Sequence, residues 1–122
     1  MKKILIVDDH EKIRELVGAT LDGIADYQIF EADNGKQAVE LARKEQPDLI
    51  LMDVAMPGEY DGLEATRILK GEPSTRGIHI IMLTAKGQTV DKEEGKQAGA
   101  DGYFVKPFSP IELIRRIESV LT

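Results

Sequence analysis

Five short apolar runs punctuate the chain: Ile4 to Val7, Ile29 to Ala32, Leu49 to Met52, Ile80 to Leu83 and Tyr103 to Val105. Each is followed by a stretch with helical spacing. Four of the runs are almost continuously hydrophobic, as a strand covered on both faces requires, and strands of that kind belong to a parallel sheet. The second run, in the context Tyr27-Gln28-Ile29-Phe30-Glu31, alternates and is expected at a sheet edge. Between the runs, Ile13, Leu16, Val17, Thr20, Leu21 and Ile24 form a first helical stripe, and Leu113, Ile114, Ile117, Val120 and Leu121 form the last. Gly35 to Glu45 carries Ala38, Leu41 and Ala42 and stops before Pro47. Leu63 to Gly71 offers Leu63, Ile68 and Leu69 and stops before Pro73. Thr89 to Ala98 is weaker, with only Val90 and Ala98 as apolar anchors and Gly95 inside at a cost of about 1 kcal/mol relative to Ala. A loosely packed, mobile fourth helix is expected. Alternating strands and helices with right-handed crossovers give one doubly wound α/β domain over 1–122, with a five-stranded parallel sheet and five helices.

Composition narrows the chemistry. The chain has no cysteine, which removes disulfides, thiolate metal sites and cysteine nucleophiles. Its 16 Lys and Arg against 22 Asp and Glu give a net charge of −6, which argues against direct DNA binding, because phosphate backbones are held by basic stripes. No apolar run approaches the roughly 20 residues of a membrane span, and Met1-Lys2-Lys3 does not open a signal peptide. No membrane insertion and a cytoplasmic location are the expectations.

In doubly wound sheets ligands bind beyond the carboxyl ends of the strands, where the strand order reverses. Asp8 and Asp9 follow the first run and Asp53 follows the third. If the order is 2-1-3-4-5, these two strands flank the reversal and three carboxylates share one mouth. Like charges so placed need a cation or a proton. An all-oxygen cluster, with no Cys and no nearby His, suits a hard cation, and Mg²⁺ is the usual choice where phosphate is co-ligand, with Mn²⁺ the alternative. The blander reading is that acids at strand ends cap helices or stay solvated. Thr84 and Lys106 follow the fourth and fifth runs. They add a hydroxyl and a fixed cation to a carboxylate able to act as nucleophile, a set suited to phosphoryl transfer. Neither G-x-x-x-x-G-K-[ST] nor G-x-G-x-x-G follows the first run, so the phosphate arrives on something other than a classically bound nucleotide.

Ile-Val-Asp8-Asp9, Asp53-Val-Ala-Met56-Pro57 with Asp61-Gly62, Thr84-Ala85, Gly99-Ala-Asp-Gly-Tyr103 and Lys106-Pro107-Phe108 together closely resemble the receiver domain of bacterial two-component response regulators, in a form similar to stand-alone chemotaxis-type regulators. The resemblance implies a flavodoxin-like fold of order 2-1-3-4-5. It implies Asp53 as phosphoacceptor from a sensor histidine kinase or phosphotransfer protein. Metal ligation would fall to Asp9, Asp53 and the Ala55 backbone carbonyl, with Asp8 orienting a metal-bound water. Thr84, Ala85 and Lys106 would contact the phosphoryl group. Thr84 and Tyr103 would switch, reporting phosphorylation to a downstream protein target on the face of helix 4, strand 5 and helix 5. The bond between Lys106 and Pro107 is cis in such domains.

Two departures stand out. The loop Gly58-Glu59-Tyr60-Asp61 is one residue longer than the family spacing. Ala55 and Lys86 occupy positions bordering the route of attacking water and are expected to tune the lifetime of the phosphorylated state. Two rivals follow from the same residues. A phosphatase of the haloacid dehalogenase type uses a strand-end Asp, but with D-x-D on its first strand instead of adjacent Asp8-Asp9. A degenerate receiver held in one state is opposed by intact Asp8, Asp9, Asp53, Thr84 and Lys106. The sequence ends after the last helix with no output domain in it, which reads either as a stand-alone regulator acting through protein contacts or as a receiver cut from a larger protein.

Overall fold

A computed structural model describes residues 2–24, 26–85, 89–106 and 109–121, and the side chains of these apart from positions 84, 85, 89–92, 95 and 106. The elements alternate: β1 (Lys2–Val7), α1 (Glu11–Asp22), β2 (Tyr27–Ala32), α2 (Gly35–Glu45), β3 (Leu49–Asp53), α3 (Gly62–Gly71), β4 (His79–Ala85), α4 (Thr89–Ala98), β5 (Gly102–Lys106) and α5 (Pro110–Leu121). All pairings are parallel, in the order β2-β1-β3-β4-β5. The expected architecture and the β2 edge are therefore observed.

Side-chain alternation along buried strands divides the core in two. Leu5, Val7, Ile50, Met52, Ile80 and Met82 face α2 and α3, while Ile4, Ile6, Leu49, Leu51, Ile81 and Leu83 face α1 and α5. Each such residue, when fully buried, contributes about 1.5–3 kcal/mol. Local signals set the helix ends. Asn34 and Asp61 accept from the backbone N–H of Gln37 and Glu64, capping α2 and α3. Gln46 takes a left-handed φ of 50° to end α2, directly before Pro47.

Three expectations need correction. Leu16 is 51% exposed, while its neighbour Val17 is buried, because a helix this close to a sheet buries a narrower stripe than the six residues proposed. Ile24 lies beyond the end of α1 and is also exposed, since the helix stops at Asp22. The fifth run is not covered on both faces: β5 is the second sheet edge, and Tyr103 is 42% exposed. In α4, Ala98 is buried as expected, whereas the burial of Val90 and Gly95 lies outside what is described. No described helix is long and apolar enough to cross a membrane.

Candidate functional site

The site is assembled at the carboxyl end of the sheet. Asp8 is the first residue past β1, yet its N–H still donates to the Ala32 carbonyl at 3.1 Å, so the β1–β2 pairing carries it into the core and its exposure falls to 0%. Its own carbonyl accepts from Arg14 Nη1 at 2.7 Å, and Arg14 Nε donates to Glu31 Oε1 at 3.0 Å. Asp53 is the last residue of β3, opposite Leu83 in register, and is 5% exposed.

The loop beyond Asp53 folds back on the strand end. Val54 N–H donates to the Leu83 carbonyl at 3.1 Å and Gly62 N–H to the Val54 carbonyl at 2.9 Å. A Cβ at Gly62 would collide with the Asp53 carbonyl, so only glycine permits this approach. The longer loop also has a defined path: Gly58 adopts φ of 103°, Tyr60 packs on the core beside α2, and its carbonyl abuts Gly35, where again no Cβ fits.

One ligand atom from each of Asp8, Asp9, His10 and Asp53 lies within 4.8 Å of all the others. Donor atoms trans to each other on a small octahedral cation with bonds of about 2.1 Å stand about 4.2 Å apart, so this set fits a Mg²⁺-sized ion after modest closure. The expectation of an all-oxygen cluster without a nearby His is corrected. His10 Nδ1 stands 3.0 Å from Asp8 Oδ1 and 3.1 Å from Asp9 Oδ1. His10 is the N-cap of α1, at φ −96° and ψ 111°, and its ring caps no helix N–H but lies beside the acids. The signal was present in the sequence, immediately after Asp9. Arg14, which braces the Asp8 carbonyl, was also missed; its one-turn offset from His10 was the available cue.

Of the other expected residues, Ala55 is exposed in the turn after β3. Backbone pairing sets Thr84 opposite Val105 and Ala85 opposite Lys106, so both strand ends reach the same edge of the sheet as Asp53. Thr84 lies within β4, not after it, because β4 extends to Ala85. The side chains of Thr84, Ala85 and Lys106, together with Lys86 and the Pro107 peptide, lie outside the described residues. An open cleft of about 440 Å³ adjoins Asp9, lined also by Asp33, Asn34, Pro57 and Gly58.

Residues 4–118 match the family profile of the response regulator receiver domain. The phosphate regulon transcriptional regulatory protein PhoB of Pseudomonas aeruginosa is 48% identical over 120 residues, covering 98% of this chain and 52% of that protein. The chain thus spans about half the length of the curated relatives it matches. A putative response regulator from Chloroflexus aurantiacus superposes with a TM-score of 0.91 at 37% identity, covering 98% of this chain and 97% of the other. The receiver domain of sensor histidine kinase PA1611 from Pseudomonas aeruginosa superposes with a TM-score of 0.89 at 34% identity, covering 99% and 98%, and its structure carries a magnesium ion coordinated in the active site cleft.

Proposed function

The chain belongs to the response regulator receiver domain family, and from that premise we propose that Asp53 accepts a phosphoryl group from a histidine kinase or phosphotransfer protein in a Mg²⁺-dependent reaction. The observation that carries this is a 5% exposed carboxylate at the end of β3 within 4.8 Å of ligand atoms from Asp8, Asp9 and His10. An Asp53 carboxylate oxygen attacks phosphorus, the phosphorus–nitrogen bond of the donor phosphohistidine breaks with its electron pair going to nitrogen, and an acyl phosphate results. Mg²⁺, when bound by Asp9, Asp53 and the Ala55 carbonyl with Asp8 behind them, supplies charge neutralisation for crowded carboxylates and phosphoryl oxygens.

Thr84, Ala85 and Lys106 are the groups we assign to the phosphoryl oxygens, from their places on the adjoining strand ends. The outward Tyr103 on the β5 edge suits a switch residue that turns inward with Thr84 and alters the α4–β5–α5 face for a downstream protein. Exposed Ala55, with no side chain beyond Cβ, and Lys86 are the positions we assign to tuning the lifetime of the phosphorylated state. Receiver domains are signalling domains; catalysis here would be confined to the chain's own phosphorylation and dephosphorylation. The charge of −6 favours a protein target over DNA for this domain, and we take 1–122 as one receiver domain acting in the cytoplasm.

The test is Mg²⁺-dependent labelling by a small phosphodonor. Asp53→Asn keeps the shape, loses the nucleophile and should abolish labelling with an unchanged circular dichroism spectrum. Label on Asp8 or Asp9 in the native protein, or catalytic turnover of a generic phosphate ester, would overturn the assignment.

A further inference from the structure

We propose that His10 is a nitrogen ligand of the metal site and that it biases the site toward divalent transition ions over Mg²⁺. The inference deepens the receiver reading and rests on it.

The ring is placed for the task by the fold. Ser, Thr, Asp or Asn is the preferred residue before a helix, because a short oxygen-bearing side chain can accept from the first turn. α1 has His10 there instead, and its side chain makes no capping bond. The ring turns the other way, and Nδ1 sits 3.0 Å from Asp8 Oδ1 and 3.1 Å from Asp9 Oδ1. Distances of about 3 Å are those between adjacent ligands on one small cation, as well as those of hydrogen bonds. His10 also contributes a ring nitrogen to the four-residue set whose donor atoms lie within 4.8 Å of one another, along with Asp53.

Releasing the ring to a metal leaves the buried acid supported. Asp8 Oδ1 also accepts the His10 backbone N–H at 2.9 Å, and that bond is independent of the ring. The imidazole itself is 67% exposed, at the rim of the mouth, so a small adjustment toward an ion meets no packed neighbour that must be displaced from the core.

The chemistry then separates the ions. Mg²⁺ is a hard cation that favours carboxylate, carbonyl and water oxygens and gains little from imidazole. Mn²⁺ and, more strongly, Co²⁺ accept imidazole readily, with affinity rising along that series. A site of carboxylates alone would discriminate weakly; one that adds an aromatic nitrogen discriminates by ligand type. His10 would therefore set which ion this receiver carries.

The experiment uses the full chain without a histidine tag, titrated calorimetrically with Mg²⁺ and separately with Co²⁺, in the native protein and in His10→Ser. Serine is a favoured helix cap, so the variant should fold, and its hydroxyl is too short to replace the ring. The Co²⁺-to-Mg²⁺ affinity ratio should fall by about tenfold or more in the variant, mainly through weaker Co²⁺ binding. Independently, Mn²⁺ bound to the native protein should show nitrogen modulation in its electron spin echo, absent from His10→Ser. A ratio that stays constant, a parallel fall for both ions or an echo without nitrogen modulation overturns the proposal, since each means that the ring only braces the carboxylates. Absence of binding by any divalent ion in the native protein would instead overturn the receiver metal site on which the inference stands.

Discussion

The two ends of the sheet handle their acids in opposite ways. At the amino end, Asp101 is matched: its Oδ2 accepts from Lys70 Nζ at 2.8 Å and from the Ile80 N–H at 2.9 Å, and the same ammonium donates to the carbonyls of Arg76 and Ile78. At the carboxyl end, Asp8, Asp9 and Asp53 converge, with the His10 ring beside them among the described residues, and two of the three are buried. Matched charge closes the junction of α3, β4 and β5. On the proposed reading, the convergent acids form a metal site whose mutual repulsion a bound cation would relieve.

The strongest way to break this comparison is to remove one crowded acid. Mg²⁺ should stabilise the native protein by about 2.7 kcal/mol at a free concentration 100 times its dissociation constant, which for a domain of this size is roughly a 10 °C rise in melting temperature. Asp9→Ala should lose most of that rise and should melt no lower than the native protein when Mg²⁺ is absent. Thermal scans with Mg²⁺ and with a chelator measure both. An equal Mg²⁺ response in the two proteins would remove Asp9 from the metal site.

The same substitution logic gives the reverse result at the other end of the sheet. Lys70→Met keeps the aliphatic stem but takes the ammonium away from the Ile78 carbonyl and from Asp101 Oδ2, which keeps the Ile80 N–H. The expected loss is about 1–3 kcal/mol, read from urea midpoints at unchanged slope. The Mg²⁺-dependent rise in melting temperature should survive intact. If it shrank along with stability, the two ends would be coupled and the contrast between them would fail.

Sequence reasoning reached the strands and the strand-end acids of the candidate site for one physical reason: Ile4–Val7, Leu49–Met52 and Ile80–Leu83 are covered on both faces, so their pattern depends on burial alone. Asp8 and Asp53 were legible as the first polar residues after such runs. Leu16 and Val17 were not separable, because both are apolar and only the angle at which α1 lies on the sheet decides which is covered. The loop from Gly58 to Asp61 could be seen to be long, but its path depends on a positive φ at Gly58 and on the seat of Tyr60 against Gly35, contacts that form only after α2 and β3 have met. His10 followed two acids in plain view. The direction of its ring, however, depends on contacts with Asp8 and Asp9 that exist only once β1 and α1 are in place.

The smallest effect sharpens the contrast on the surface. Arg43 on α2 and Glu72 at the end of α3 form an ion pair, with Arg43 Nε 3.1 Å from both carboxylate oxygens and Nη2 closer still. The hydrogen bond from Arg43 holds the Glu72 carboxyl below its usual range, against a smaller opposing effect of desolvation, with direct attraction to Arg43 and a bond from Thr75 assisting. A carboxyl depressed in the folded state contributes stability above its unfolded pKa and loses it as pH falls through the folded value. Arg43→Gln should therefore be slightly less stable than the native protein near neutral pH, and the difference should vanish once the solution is acidic enough to protonate Glu72 in the folded chain. Added salt should shrink the difference at neutral pH, because the pair is exposed to solvent and screened. Urea midpoints of the two proteins across that acid range, at low and high salt, measure all three effects. A difference that persisted below the titration of Glu72 would assign the contribution of Arg43 to the packing of its stem between α2 and α3, not to its charge.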